Sequence, residues 1–226
     1  MTDASLYQLL AWCSPGYPTG AFSYSHGLEW AVESTDVKDL DSLLDYVTAV
    51  LGRGGGWIDA VLFVHAWRSA SQPQELDAIA ELAAAFRGSA EMALESRQQG
   101  AAFLAVTRRA WPHPLLEEFA GRRTPEQPVA HSIAVALACA AHGIALQPSL
   151  HAFLHALAAN LISAGARLIP LGQTQAQVAI AQLSPTIQAV ARQALHADLD
   201  DLGSAAPALE LCSLHHETQY TRLFRS

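Results

Sequence analysis

Apolar residues recur in this sequence at the spacing of an α-helix, and that repeat limits the folds open to the chain. Between residues 40 and 51 one face is apolar and the other acidic or polar: Leu40, Leu43, Leu44, Val47 and Leu51 against Asp39, Asp41, Ser42 and Asp45. Residues 150–161 repeat this spacing. Side chains three and four residues apart share one helix face, so both segments predict amphipathic helices. No useful length of strand-type alternation appears, and we predict an all-α fold.

Proline, glycine and uniformly apolar segments predict how the helices are arranged. Residues 129–141 are apolar almost all round, which predicts a central buried helix. The Ser184-Pro185 pair predicts an N-cap and a first helical position, from which a new helix would start. We predict one domain over residues 1–226, a bundle of roughly ten helices. From about residue 213 we expect a C-terminal tail that is flexible or docks on a partner.

Charge and composition exclude several classes of protein. The chain has 226 residues, 51% of them hydrophobic and 15% charged, enough for one sizeable core with little polar surface to spare. Its net charge of −8 argues against nucleic-acid binding, which needs a basic surface. Lys38 is the only lysine, and no Gly-Lys-Ser or Gly-Lys-Thr tripeptide is present. The chain is therefore not itself a P-loop GTPase.

The cysteines and the apolar runs predict a cytoplasmic protein. Cys13, Cys139 and Cys212 form no C-x-x-C pair, which suits a reducing compartment. The first residues lack the basic start of a signal peptide. The longest apolar run, residues 133–141, is shorter than the roughly 20 residues that span a bilayer. We expect no membrane partner.

Two histidine pairs raise the possibility of a metal site. His151 and His155 stand at i and i+4, a spacing that can present two imidazoles to one ion, but no third ligand is evident. His215 and His216 are adjacent, so on a helix they point in different directions. A polar flank is the favoured interpretation. A nickel-binding chaperone that uses these four histidines stays open as the alternative function.

The residues near the N-terminus that suggest a hydrolase do not make a complete catalytic set. Ser23, Ser25, His26 and Glu29 are close in sequence, but G-x-S-x-G is absent and a triad depends on geometry. The segment either packs structurally or faces a partner. We expect no catalytic residue, no cofactor and no bound metal.

Two arginines in apolar helices, Arg97 and Arg167, predict buried or interfacial salt bridges, because an unpaired guanidinium is costly to desolvate. The acids available to pair with them are Glu29, Glu91, Glu95 and Glu210.

The last residues have the composition of a docking segment. Residues 220–226 contain two aromatics, a leucine and two arginines, the residue types that dominate binding hot spots. Ordering them without a partner costs roughly 1–2 kcal/mol per residue in backbone entropy, so we expect them to be mobile in the free protein. The alternative is that Leu223 and Phe224 complete the core as a last helical turn.

Four segments together resemble one known family. They are Pro15 to Trp30, Glu95 to Leu104, Ser163 to Thr174 and His215 to Ser226. In this order they are similar to the UreF family of urease accessory proteins. The resemblance implies a non-catalytic scaffold that dimerises, binds the accessory protein called UreD or UreH, and recruits the nickel-carrying GTPase UreG to apo-urease. It also implies a role in nickel insertion and in modulation of the GTPase cycle.

The resemblance and the composition together give a set of expected partner-binding residues. They are Phe22, Tyr24, Glu29, Arg97, Arg167, Gln173, Tyr220, Arg222, Phe224 and Arg225.

Overall fold

The computed structural model describes residues 2–226, and every regular element in that range is helical. The α-helices are α1 (Asp3–Trp12), α2 (Leu28–Glu33), α3 (Leu40–Arg53), α4 (Gly55–Arg68), α5 (Pro73–Ala85), α6 (Ala90–Ala110), α7 (Pro114–Arg122), α8 (His131–Ala141), α9 (Leu146–Leu168), α10 (Gln173–Ala194) and α11 (Pro207–His216). Two short 3₁₀ turns lie at Ala21–Ser23 and Leu199–Asp201. The all-α fold class is confirmed.

The central helix is α8, and most of its residues are buried. It packs mainly against α4 and α6. The approach of α6 depends on Gly100, where an added Cβ would come within 2.0 Å of the carbonyl oxygen of Val129. Hence α6, which carries part of the site described below, is held close to the centre of the molecule.

Helices α3 and α4 together form a long apolar stretch of the described chain. Residues 40–68 are long and apolar enough to cross a membrane by length and composition alone. Their most apolar window is 61% buried inside the protein, and Gly54 separates the two helices. This is the pattern of core helices.

The prediction that a new helix starts at Ser184-Pro185 is wrong. Helix α10 continues through Pro185, which is exposed. Leu183, Ile187 and Val190 keep one buried stripe on both sides of the proline. The carbonyl that loses its hydrogen bond lies on the solvent side of the helix, where water can satisfy it, so packing maintains the helix.

Candidate partner-docking site

Three glutamates are buried beneath the C-terminal tail, which here means residues 217–226. Glu29 lies on α2, while Glu91 and Glu95 lie one turn apart on α6. Their exposed fractions are 7%, 8% and 7%. Buried carboxylates are costly unless they are paired and hydrogen-bonded, so their partners identify what this site is built to hold.

Glu29 binds the backbone of the tail. Its carboxylate accepts hydrogen bonds from the amide groups of Leu223, at 2.6 Å, and Phe224, at 2.9 Å. Hydrogen bonds from backbone N–H groups to a charged acceptor are among the stronger ones in proteins. The tail therefore has a fixed position on α2.

His216, the last residue of α11, joins two of the carboxylates. Its Nε2 lies 3.0 Å from Glu29 and its Nδ1 lies 2.7 Å from Glu91. The imidazole therefore bridges the two carboxylates through both of its ring nitrogens. Arg222 donates from Nη1 to the other oxygen of Glu91 at 2.8 Å. Arg222 and His216 thus pair with the buried acids.

Glu95 holds the end of the tail. It accepts hydrogen bonds from the Ser226 hydroxyl, at 2.7 Å, and from the Gln99 amide, at 3.1 Å, while His26 Nδ1 lies 3.6 Å away. Burial raises the pKa of Glu95, but His26 and Ser226 outweigh it and leave the pKa below its ordinary value. This carboxylate is therefore ionised at neutral pH.

The tail also pairs with the backbone of the N-terminal loop, which here means residues 13–27 between α1 and α2. The Ser25 amide donates to the main-chain oxygen of Ser226 at 2.7 Å, and the Arg225 amide donates to that of Ser23 at 2.8 Å. Gly27 follows with a φ of +78°, and a Cβ there would lie 2.9 Å from the Ser213 nitrogen. Glycine at this position lets α11 approach the loop closely.

Arginine and aromatic side chains cover the outside of this junction. The guanidinium of Arg167 stacks on Phe22, with its Cζ 3.7 Å from the ring centroid, and on Phe224, at 4.3 Å. Arg225 Cζ lies 6.0 Å from the ring centroid of Tyr24. Phe224 is buried, whereas Phe22 is 63% exposed. Such cation–π contacts join the loop, α9 and the tail into one surface.

A cavity of about 650 Å³ lies beside the loop, between α6, α8 and α9. His26 and Ser96 present buried polar atoms there that have no hydrogen-bond partner in the described residues. Burial lowers the pKa of His131 to about 4, so this ring is neutral at pH 7. Asp59 is paired with Arg87 at 2.8 Å and accepts a hydrogen bond from Ser132.

The structure brings seven of the ten expected site residues together around the tail: Phe22, Tyr24, Glu29, Arg167, Arg222, Phe224 and Arg225. The other three are exposed. Arg97 lies on α6, Gln173 begins α10 beside the cavity, and Tyr220 extends fully into solvent.

The prediction of salt bridges within the chain for Arg97 and Arg167 is wrong. Neither side chain makes an ion pair with any described residue. Three of the four acids proposed for them are engaged by His216, Arg222, Ser226 and the tail amides. An interfacial partner for these arginines stays a prediction.

The tail differs from the sequence prediction in its boundary and in its contacts. Helix α11 extends to His216, so the irregular tail begins near residue 217 and not 213. The hydrogen bonds above place the tail against its own chain, and its mobility in the free protein stays a prediction. Phe224 completes the core without being helical, while Leu223 is 64% exposed. Docking of the exposed part on a partner stays a prediction.

The sequence did not predict that Glu91, Glu95 and His216 lie beneath the tail. A signal was present, because Glu91 and Glu95 share the buried stripe of α6 with Gln99 and Phe103. Acids on an apolar stripe must find partners. Which partners they find depends on contacts more than a hundred residues apart in sequence.

The histidines proposed as nickel ligands are dispersed or already engaged. His215 stacks on Trp30, with ring centroids 5.0 Å apart, and His216 lies between two carboxylates. His151 and His155 lie on α9. Residues 2–226 contain no cluster of three or more histidine, cysteine or acidic side chains able to hold a metal ion.

Comparison with known families decides what kind of protein has this architecture. A family model described as UreF matches residues 37–184, more than half of the chain. This chain belongs to the UreF family. The resemblance inferred from the four sequence segments is therefore confirmed.

Relatives match nearly the whole chain. A UreF protein from Rhodopseudomonas palustris strain BisB5 is 52% identical over 230 residues, covering 99% of this chain and 92% of that protein. Similar proteins from Bradyrhizobium diazoefficiens and Granulibacter bethesdensis are each 49% identical over 226 residues. They cover 99% of this chain and 92% and 95% of those proteins. All three are named urease accessory proteins, which is an accessory family and not a family of enzymes.

Proposed function

We propose that this UreF chain is a non-catalytic scaffold for the maturation of urease. In this proposal it is a cytoplasmic homodimer that binds the accessory protein UreD or UreH and recruits the GTPase UreG to apo-urease. Nickel is the cargo of that assembly, and the scaffold modulates the GTPase cycle that delivers it. Family membership supports the accessory role.

The observation that carries the scaffold proposal is an exposed apolar surface on a firmly held tail. Tyr220, Leu223 and Phe22 are 103%, 64% and 63% exposed. The backbone beside Leu223 is fixed by Glu29. Large apolar side chains on a pre-ordered backbone lose little further entropy on binding, which favours a docking surface. We call Tyr220 and Leu223 of the tail, together with Phe22 of the N-terminal loop, the tail surface.

A co-purification experiment with two variants tests whether the tail surface docks on the accessory partner. The chain is co-expressed with UreD or UreH of the same host, as wild type and as the double variant Tyr220→Ala, Leu223→Ser. We expect the wild type to co-purify with the partner and the double variant to lose most of it. Both side chains are exposed, so the melting temperature should stay within a few degrees.

Val178→Ser provides the matched control, because Val178 is also exposed, at 42%, but lies on α10. It should bind the partner as the wild type does. Unchanged binding by the double variant would show that the tail surface is not the docking site. Failure of the wild type to bind at all would contradict the scaffold function itself.

A nickel-binding chaperone was the alternative function, and no contact in the described residues favours it. His216 is engaged on both ring nitrogens, and His215 is stacked on Trp30.

A further inference from the structure

The guanidinium of Arg167 has unused hydrogen-bonding capacity. Its Nε donates to the Ser163 carbonyl at 3.3 Å and its Nη2 to the Phe22 carbonyl at 2.9 Å. A guanidinium carries five N–H groups, so three remain without an acceptor among the described residues. The rings of Phe22 and Phe224 cover its two faces, which leaves the edge of the guanidinium plane as the side open to a ligand.

Arg167 is also a half-buried charge without a counter-ion in residues 2–226. Partial burial lowers its pKa, although a guanidinium stays protonated at neutral pH. The more buried Arg87, by contrast, pairs with Asp59 at 2.8 Å. The chain has 21 acidic residues against 13 basic ones, so acids are not scarce. A charge that is partly desolvated and unpaired is costly unless something else pairs it.

The surroundings of Arg167 suit a contact with another protein. Phe22 beside it is largely exposed, and Arg225, which is exposed and makes no ion pair with any described residue, lies over the neighbouring Tyr24 ring. An apolar rim around a guanidinium excludes water once it is covered, and a charge-assisted hydrogen bond is stronger in that environment. The planar fork of arginine matches the two oxygens of a carboxylate.

We propose that Arg167, stacked between Phe22 and Phe224, is a recognition site for an aspartate or glutamate side chain of a protein partner. The inference rests on the proposed scaffold function and adds the chemistry of the contact. The carboxylate would bind the free edge of the guanidinium, while apolar groups around it cover Phe22.

Titration of purified UreD or UreH with full-length variants tests this inference. Arg167→Met removes the charge but keeps an apolar stem between the rings. We expect its affinity for the partner to fall about tenfold to a hundredfold, the range of a hydrogen bond to a charged group. Arg167→Lys keeps the charge but lacks the fork, and should also weaken binding. Arg192→Met is the matched control, an exposed arginine on α10 without an ion pair in the described residues, and should bind as the wild type.

The dependence on salt separates an ionic contact from a purely apolar one. Wild-type affinity should fall between about 50 mM and 500 mM salt, and Arg167→Met should show a smaller fall, because it lacks the screened interaction. Replacement of the contacting partner acid by arginine should reduce wild-type binding as strongly as Arg167→Met does.

Three results would overturn the inference. The first is that Arg167→Met binds the partner with the same affinity as the wild type. In that case the scaffold function still stands. The second is fast hydrogen exchange at the Leu223 and Phe224 amides in Arg167→Met, which would mean that Arg167 only fixes the tail. The third is loss of self-association by light scattering with partner affinity unchanged, which would make a second copy the occupant. A wild type that does not bind the partner contradicts the scaffold function as well.

Discussion

Individual carboxylates determine how the C-terminal tail is held. Glu29 accepts hydrogen bonds from two tail amides and lies within hydrogen-bonding distance of His216 Nε2, three polar contacts on one buried group. Removing the charge of such an acceptor weakens every bond to it, because each is charge-assisted. The stability of the tail is therefore concentrated in a few residues that are distant in sequence.

Glu29→Gln should loosen the tail without unfolding the helices. The change keeps the shape of the side chain but removes the charge, and we expect the free energy of unfolding to fall by about 1–3 kcal/mol. Hydrogen exchange at the amides of Leu223 and Phe224 should accelerate. Glu33→Gln on the exposed end of the same helix is the control and should change neither quantity. Unchanged exchange in Glu29→Gln would show that other contacts hold the tail.

His131 should make the stability of the protein depend on pH. Its pKa is lowered to about 4 by burial, an effect that Asp59 and Glu95 oppose only in part. The unfolded chain therefore binds a proton near pH 6.5 that the folded chain does not, and stability falls as the pH is lowered from 6.5 toward 4. The loss from this residue should be roughly 2–3 kcal/mol.

Chemical denaturation of the wild type and of His131→Leu at pH 7 and pH 4.5 measures that contribution. The variant should lose less stability between the two pH values. Glu95 contributes in a different range: its pKa is lowered in the folded state, so its stabilisation is present above pH 4.5 and is lost below it. Equal losses in the two proteins would mean that His131 is not the group that titrates.

At the scale of the elements, close helix packing sets the geometry beneath the site. Helix α6 carries Glu91 and Glu95 and passes close to the start of α8 at Gly100. Gly165 on α9 lies against Leu43 of α3, and a Cβ added to Gly165 would come within 2.6 Å of the Leu43 side chain. Gly100 and Gly165 are therefore positions of close helix contact and not of flexibility.

Gly100→Ala should destabilise the protein although alanine favours helices. The added Cβ would lie 2.0 Å from the carbonyl oxygen of Val129, so α6 and the start of α8 must separate. We expect a loss of at least about 1–3 kcal/mol in thermal or chemical denaturation. Gly121→Ala on α7 meets nothing within 4 Å and should be neutral or stabilising by up to about 1 kcal/mol. Equal effects of the two changes would contradict the close packing of α6.

At the scale of the whole molecule, the fold is one core on which the loop before α2 and the C-terminal tail meet at one site. The N-terminal loop and the tail are paired through backbone hydrogen bonds, and α2, α6, α9 and α11 surround them. A partner that contacts this site touches segments from both ends of the sequence at once. Such an arrangement suits a scaffold whose binding surface depends on complete folding.

The proposed homodimer is a prediction about the whole molecule. A low charged fraction and alanine-rich helices that can pack closely between copies favour it. Light scattering at micromolar concentration should give twice the 24.1 kDa of one chain. Dilution toward nanomolar concentration should then reveal dissociation, if the interface is of ordinary size. A monomer mass at micromolar concentration would contradict the dimer.

The sequence by itself determined the fold class, most helix boundaries and the family. Apolar periodicity is a local signal, and that at residues 40–51 and 150–161 agrees with α3 and α9. Local signals failed at Pro185, because a buried stripe on the other face of α10 maintains the helix through it. Several residues expected from the sequence to bind a partner, such as Phe22 and Arg167, lie together in the structure, and their role stays a prediction.

Only the tertiary structure decided how the site is assembled. The sequence shows Glu91, Glu95, His216 and the tail as separate features, and it cannot choose which acid pairs with which cation. That choice depends on the meeting of α2, α6 and α11, and Glu91 of α6 is 125 positions from His216 of α11 in the sequence. Burial makes those pairings obligatory, because a carboxylate removed from water must be compensated where it lies. The position of the tail therefore depends on buried carboxylates that only the folded chain brings beneath it.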